Sequence, residues 1–259
     1  MFYHVNKIAV FIFGMCIGSF LNVCIYRLPT SQSISNPPRS VCPNCDGPIR
    51  FYDNIPVLSY LLLRGRCRHC NTPISYRYPL VEILSGLFAL CAFLEFGATL
   101  QGVIYYAFIS CLLVITFIDI DHQIIPNAIT LPGIPVFFLA SFAVPATTYL
   151  DSILGLLIGG GSLYLVGWTY YLIKKEEGMG GGDIKLLAMI GALLGWKGVV
   201  FTVFIGSTVG TLAGVMVMAY TRLMDAKLRI PFGPFLSIGA ITYVFFGSRI
   251  IFWYFNALR

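Results

Sequence analysis

Long apolar runs separated by short polar breaks dominate the chain, and they predict transmembrane helices. The runs cover residues 8–28, 80–96, 103–118, 128–144, 152–173, 184–194, 198–220 and 235–255. A helix needs ~20 predominantly apolar residues to cross a hydrocarbon core about 30 Å thick. The run at 184–194 is too short for that, so we expect its helix to begin inside a cavity. The pattern predicts an all-α polytopic integral membrane protein with about eight transmembrane helices.

One long polar stretch, residues 29–78, interrupts this pattern and predicts a small loop domain after the first helix. A connection of this length is too long to be only a connector. We therefore divide the chain into a first transmembrane helix (1–28), a loop domain (29–78) and a transmembrane domain (79–259). We identify no internal repeat.

Composition excludes a soluble protein, and charge sets the orientation. The chain is 58% hydrophobic and 11% charged, with a mean hydropathy of +0.82. Placing the loop in the cytoplasm puts 13 of the 17 Lys and Arg residues inside, as the positive-inside rule requires. The exceptions are Lys7, Lys197, Arg249 and Arg259. The net charge of +6 then reflects topology and contact with anionic membrane lipid, so we expect no nucleic-acid partner.

The first run is not typical of a cleaved signal peptide. It is longer than a usual apolar core of such a peptide, and Arg27 follows it instead of preceding it. We therefore interpret this run as a permanent helix.

Four of the eight cysteines lie in the loop as two C-x-x-C pairs, Cys42 with Cys45 and Cys67 with Cys70, and 21 residues separate the pairs. Each pair can direct two thiolates at one tetrahedral ion, which indicates a structural zinc site with a full coordination shell. A redox pair or free thiols are the alternatives. The remaining four cysteines stand singly in apolar runs, where we expect small buried residues.

Two aspartates stand at the ends of apolar runs. Asp119 closes the third run, and Asp183 follows a glycine cluster at residues 178–182. Asp121 is about 200° from Asp119 on a helix, so the two cannot face the same partner. Carboxylates at membrane depth are costly and are usually functional.

Four interpretations of Asp119 and Asp183 remain open at this point. They could be helix-end residues, with Asp183 a simple N-cap, or the glycines could cradle a phosphate, although the P-loop ending is missing. An ion-coupled carrier also uses intramembrane acids. In an aspartic protease, two carboxylates share one proton and activate water.

In the order of its motifs, the chain resembles the bacterial type IV prepilin peptidases, which are bifunctional leader peptidase/N-methyltransferases. The matching positions are residues 18–23 and 26–29, both C-x-x-C pairs, residues 54–56 with Ser59 and Tyr60, residues 77–82, the Asp119 motif, the G-x-G-D motif ending at Asp183 with Lys185 and Leu186, and residues 231–234. The four cysteines distinguish the bifunctional type from its single-function relatives. The resemblance covers nearly the whole chain.

This resemblance implies a function and a location. Asp119 and Asp183 would form the catalytic pair of a G-x-G-D aspartic protease in the bacterial inner membrane, with its active site facing the cytoplasm. Prepilins or pseudopilins of type IV pilus or type II secretion systems would lose a short basic leader after a glycine. The new N-terminus would be methylated with S-adenosylmethionine.

The residues that bind S-adenosylmethionine are not assignable, because the chain has no Rossmann glycine fingerprint. Glu82 is a candidate for this activity, and a snorkelling surface carboxylate is the alternative. An ion-coupled membrane transporter and a non-enzymatic scaffold are the rival functions.

Overall fold

The computed structural model describes residues 2–36, 40–176, 180–221 and 231–257. Over these ranges the regular elements are helices, accompanied by isolated β-bridges at Val41–Pro48 and Arg66–Pro73. The helices are α1 (Phe2–Arg27), α2 (Leu58–Leu62), α3 (Arg77–Phe96), α4 (Leu100–His122), α5 (Asn127–Ser141), α6 (Tyr149–Lys174), α7 (Gly181–Thr221) and α8 (Gly233–Ala257), with a 3₁₀ turn at Phe51–Asn54. The predicted all-α class is confirmed.

Some of the predicted features lie outside the described ranges. These are Gly178 and Met179 of the glycine cluster, and the basic residues Arg39, Arg222, Lys227, Arg229 and Arg259 that contribute to the predicted orientation.

Within the described ranges, six helices are long and apolar enough to cross a membrane: α1, α3, α4, α6, α7 and α8. The chain is therefore a multi-pass membrane protein. The fourth predicted run forms α5, which has only 15 residues.

The sixth and seventh predicted runs form the two helical segments of α7, which non-helical backbone at Gly195 separates. Gly195 has φ 71° and ψ 179°, a conformation that glycine adopts without steric cost. A Cβ there would lie 3.0 Å from the Cβ of Asp151. The indole of Trp196 donates a hydrogen bond to the same aspartate at 3.1 Å. The break therefore packs against the start of α6, where Thr148 and Asp151 form a capping box.

The chain forms two compact units, Met1–Val114 and Ile115–Arg259, and the boundary between them falls within α4. In the first unit, α1 packs against α3 through glycines. A Cβ on Gly14 would lie 2.6 Å from the Cβ of Ala89, and one on Gly18 would lie 2.7 Å from the Cα of Glu82. Small residues allow such close helix packing in membranes. The functional division at residues 28 and 78 stays a prediction.

In the second unit, α5, α6 and α8 all pack against α7. The part of α7 before Gly195 supplies the core, with Leu186, Leu187, Met189 and Ile190 fully buried. The short sixth run is thus an interior helix, which explains why it lacks the length of a full span.

The cysteines within apolar helices differ in their surroundings. Cys24 is buried and Cys111 is half-buried, but Cys16 and Cys91 are exposed on the protein surface. The prediction that all four are buried is therefore wrong for Cys16 and Cys91, because no described residue covers their sides of α1 and α3.

Candidate active site and metal centre

Asp119 lies in the last turn of α4 and is almost fully buried, with 5% of its surface exposed. Its Oδ2 accepts a hydrogen bond from the backbone amide of Gly233 at 3.0 Å. Gly233 is the first residue of α8, so the carboxylate sits at the positive end of that helix dipole. The start of α8 therefore positions Asp119.

Gly233 is a requirement of this contact. A Cβ at residue 233 would lie 2.6 Å from the Asp119 Oδ2 and 3.4 Å from the Ile125 Cδ1. A real Cβ does not approach an oxygen this closely, so any other residue would displace the carboxylate. Pro234 follows as the second helical residue, where a missing amide hydrogen is tolerated.

Asp183 is the third residue of α7, which begins at Gly181. The alternative that Asp183 is a simple N-cap is therefore wrong, because Gly180 precedes the helix and accepts the Asp183 amide at 3.2 Å. The Oδ1 of Asp183 is buried and has no hydrogen-bond partner among the described residues. Such an atom is an open acceptor in a protein interior, where polar groups are normally paired.

The structure brings the ends of α4 and α7 together in the second unit. Ile125, which follows the end of α4, contacts the starts of α7 and α8, since a Cβ on Gly182 would lie 2.8 Å from the Ile125 Cβ and one on Gly233 would lie 3.4 Å from the Ile125 Cδ1. The Nζ of Lys185 donates to the Asn127 Oδ1 at 2.8 Å, which joins the start of α7 to the start of α5. Ile125 thus links Gly233, whose amide holds Asp119, to Gly182, which precedes Asp183.

Asp121 lies in the same helical turn as Asp119 but is exposed. The two side chains differ in environment, as the helical spacing predicts. The site therefore contains one acid from α4 and one from α7.

The four loop cysteines form a cluster in the first unit. Their sulfur atoms lie within 4.8 Å of one another, and the Cys42 and Cys70 sulfurs are 3.8 Å apart. Four thiolates at about 2.3 Å from one tetrahedral ion would be separated by about 3.8 Å. The donor set and its spacing fit a structural zinc ion.

The two C-x-x-C segments repeat one local structure, so the expectation of no internal repeat is wrong for the loop. The Cys42 amide donates to the Gly47 carbonyl at 3.0 Å, and the Cys67 amide donates to the Thr72 carbonyl at 2.9 Å. Residues Asp46 and Asn71 occupy the same place in each segment, with φ of 51° and 56°. The signal in the sequence is Cys-x-x-Cys-Asp/Asn-x-Pro-Ile, which occurs twice, 25 residues apart.

Local hydrogen bonds give the thiols unequal acidity. The hydroxyl and backbone of Thr72, together with Asn44, lower the pKa of Cys70 to about 5. For Cys45, a hydrogen bond with the Gly47 backbone lowers the pKa, but burial and the Cys42 and Cys70 thiols outweigh it and raise the pKa to about 12. A nearby cation would stabilise the thiolate form, whereas neighbouring thiols do not.

An ion pair fastens the middle of the loop to the second C-x-x-C segment. The Arg68 guanidinium makes hydrogen bonds to both oxygens of Asp53, at 2.6 to 3.1 Å. Arg68 lowers the pKa of Asp53, because it stabilises the ionised carboxylate. The same guanidinium lies 5.6 Å from the centre of the Tyr52 ring.

Glu82 is buried, with 9% of its surface exposed, and its Oε2 accepts the backbone amide of Val57 at 2.7 Å. The interpretation of Glu82 as a snorkelling surface carboxylate is therefore wrong. Gly233, Ile125 and Asn22 are further residues of interest that the sequence did not single out individually. For Gly233 the signal was the motif at residues 231–234, and for Asn22 it was the motif at 18–23.

Two family descriptions match the chain. The bacterial peptidase A24 N-terminal domain matches residues 12–96, and the type IV leader peptidase family matches residues 106–215. Together they contain the four cysteines and both Asp119 and Asp183. No solved structure matches.

Individual relatives are similar over most of the chain. The prepilin leader peptidase/N-methyltransferase of Aeromonas hydrophila is 36% identical over 95% of this chain and 92% of its own length. The protein of the same name from Pseudomonas putida is 35% identical, over 92% of this chain and 90% of its own length. The one from Myxococcus xanthus is 39% identical over 82% of this chain, and the match spans 63% of that protein. The chain belongs to the type IV leader peptidase family.

Proposed function

We propose that this protein is a membrane aspartic endopeptidase that removes the leader of type IV prepilins or pseudopilins and then methylates the new N-terminal residue. The observation that carries the peptidase half is the pairing of Asp119 and Asp183 in one site. Similar proteins that carry the name prepilin leader peptidase/N-methyltransferase support both halves. No finding supports the ion-coupled transporter.

In the proposed peptidase reaction, the two carboxyl groups share one proton, as the paired carboxyl groups of aspartic proteases do. The ionised member takes a proton from water as the water oxygen bonds to the scissile carbonyl carbon. The protonated member donates a hydrogen bond to the carbonyl oxygen. The carbon–nitrogen bond then breaks, and the leaving amine receives a proton from the pair.

The surroundings of the pair support unequal roles. The Gly233 amide holds one oxygen of Asp119. The unpartnered Oδ1 of Asp183 is available to a water or to a substrate group. A pair in which only one member is held by the backbone has one fixed carboxylate and one open to the reacting atoms.

The proposed location is the bacterial inner membrane, with the active site facing the cytoplasm. The distribution of Lys and Arg supports this orientation, since it places both Asp119 and Asp183 at the cytoplasmic side. The substrate's basic leader is not inserted into lipid and stays in the cytoplasm. Leader cleavage would then take place on that side of the membrane.

We propose that Cys42, Cys45, Cys67 and Cys70 hold one structural zinc ion. When bound, the ion would cross-link the two C-x-x-C segments and stabilise the loop. Four thiolates fill its coordination shell, so the ion takes no part in either reaction.

Co-expression with a model prepilin tests the peptidase half. The wild-type protein should convert the precursor to a faster-migrating product on a denaturing gel. Asp119→Asn and Asp183→Asn should leave the precursor intact at equal amounts of membrane-inserted enzyme. The matched control is Asp121→Asn, which removes an exposed carboxylate from the same turn and should retain at least partial activity. Cleavage by Asp119→Asn together with none by Asp121→Asn would refute the assignment.

A further inference from the structure

The first unit contains a cavity of about 600 Å³ that the proposed peptidase reaction does not use. Residues from α1, the cysteine loop and the start of α3 line it, among them Asn22, Glu82 and the tyrosines Tyr26, Tyr60 and Tyr78. Ligand sites of about 300–1,000 Å³ accommodate molecules of nucleoside size and larger. Aromatic rings in such a wall offer stacking faces to a heterocycle.

The cavity contains a buried carboxylate bonded only to neutral groups. Among the described residues, the hydrogen-bond donors to Glu82 are the Val57 amide at 2.7 Å and the Ser19 hydroxyl. A buried carboxylate of this kind is stabilised far more by a cation than by neutral donors. Glu82 therefore favours a cationic ligand.

The backbone that meets Glu82 is strained. Val57 has φ 60° and ψ −46°, a region that β-branched residues rarely adopt. Such strain persists only where the surrounding structure imposes it, and it concentrates at functional sites. Here the strained residue is the one whose amide holds the carboxylate, so the loop and α3 together fix the orientation of Glu82.

A second acceptor lies in the same wall. Asn22 is 4% exposed, and its Nδ2 donates to the Tyr78 carbonyl at 3.1 Å. This hydrogen bond fixes the amide, while its Oδ1 is buried and has no hydrogen-bond partner in the described structure. An orphaned acceptor of this type calls for a donor from a ligand. Asn22 and Glu82 together present two acceptors and one negative charge, in a wall that also includes Arg27, Arg68, Arg77, Asp46 and Asp53.

We propose that this cavity is the methyl-transfer site, where Asn22 and Glu82 bind the cationic centre formed by S-adenosylmethionine and the new N-terminal amine. The inference rests on the proposed methyltransferase function. Both ligands are positively charged at the reacting atoms, and the amine supplies an N–H donor for the unpartnered Asn22 Oδ1.

When bound, S-adenosylmethionine supplies a methyl group whose carbon–sulfur bond breaks, with the electron pair kept by sulfur, as the bond to the amine nitrogen forms. Glu82 receives the proton that the amine must lose to expose its lone pair. Asn22 orients the amine by accepting a second N–H.

The test uses purified full-length protein with zinc bound. S-adenosylmethionine and its uncharged product S-adenosylhomocysteine are titrated separately into wild type and Glu82→Gln by calorimetry. Gln keeps an acceptor for the Val57 amide and removes only the charge. We expect at least about tenfold weaker binding of the sulfonium ligand, with a smaller change for the uncharged one. Methylation of a processed pilin peptide should fall by about 10²-fold or more.

Asn22→Leu is the second variant, and it should raise the KM for the peptide amine by about tenfold. The matched control is Ser85→Ala, which removes a buried hydroxyl from α3 that bonds to the Gly14 carbonyl at 2.8 Å, outside the cavity wall. Leader cleavage and zinc content should equal wild type in all three variants, which shows that the protein remains folded.

Wild-type affinity and methylation in Glu82→Gln would overturn the site assignment, as would an equal loss in Ser85→Ala. In those cases the wild-type protein still methylates the peptide, so only the assignment of methyl transfer to this cavity would be wrong. A wild-type protein that neither binds S-adenosylmethionine nor methylates the peptide would instead refute the proposed methyltransferase function itself.

Discussion

Substituting Gly233 by alanine tests how the start of α8 controls Asp119. The added Cβ would lie 2.6 Å from the Asp119 Oδ2, well inside the contact distance of carbon and oxygen. Either the carboxylate or the first turn of α8 must move by several tenths of an ångström, and the 3.0 Å hydrogen bond from residue 233 is distorted.

The expected loss of cleavage activity follows from the distorted hydrogen bond and from the displacement of the carboxylate. A hydrogen bond to a charged group contributes about 1.5–3 kcal/mol, and Asp119 is too buried for water to replace it. A displacement near 1 Å at a reacting group costs about 10²-fold in rate. The expected shift is smaller than 1 Å, so we expect Gly233→Ala to lower kcat for leader cleavage by about tenfold. Methylation of an already processed peptide should stay at the wild-type rate.

The assay measures initial rates on a synthetic precursor peptide with purified protein, alongside its melting temperature. Gly161→Ala is the matched control, because a Cβ at that position of α6 meets no atom within 4 Å. Cleavage by Gly233→Ala at the wild-type rate would show that the start of α8 does not control Asp119. An equal loss in Gly161→Ala would show that the effect is not specific to the Asp119 contact.

Three further predictions concern the rest of the molecule. Gly182→Ala should lower the cleavage rate in the same peptide assay, since its Cβ would lie 2.8 Å from the Ile125 Cβ. Gly181→Ala should cleave at the wild-type rate, because a Cβ there meets nothing within 4 Å. Equal rates in the two variants would show that the contact with Ile125 does not matter for cleavage. Elemental analysis should find about one zinc per wild-type chain; Cys42→Ser should lose it and Cys16→Ser should keep it, whereas a metal-free wild type would refute the zinc site. Thr148→Ala removes the capping box of α6 and should lower the free energy of unfolding by about 1 kcal/mol in denaturant titrations, and an unchanged stability would show that the cap contributes nothing.

The helices could be predicted from the sequence because a long apolar run by itself indicates a helix in the membrane. The break between the sixth and seventh runs was predicted too, since Gly195 falls between the runs 184–194 and 198–220. Its packing could not be predicted, because Asp151, which packs against Gly195, lies more than 40 residues earlier. The repeated C-x-x-C motif is visible in the sequence. Only the matching backbone hydrogen bonds around Cys42 and Cys67 show that its two copies share one local structure.

The two acids of the candidate site could be predicted from the sequence. The contacts that hold them in place could not. Asp119 and Asp183 stand out because carboxylates at the ends of apolar runs are rare. The contact between Asp119 and Gly233 joins residues 114 positions apart, and no local pattern encodes it. Asn22 and Glu82 likewise meet in one cavity wall only after α1 and α3 have packed together.

Intact-mass analysis of a synthetic prepilin peptide incubated with the purified protein shows whether the protein cleaves and methylates such a substrate. We expect two products that result from one cut after the leader glycine, and a methylated mature fragment when S-adenosylmethionine is present. Asp119→Asn and Asp183→Asn, folded by their melting temperatures, should give neither fragment. An intact peptide with the wild-type protein would show that it is not a prepilin peptidase, and normal cleavage by either aspartate variant would show that Asp119 and Asp183 are not the catalytic pair.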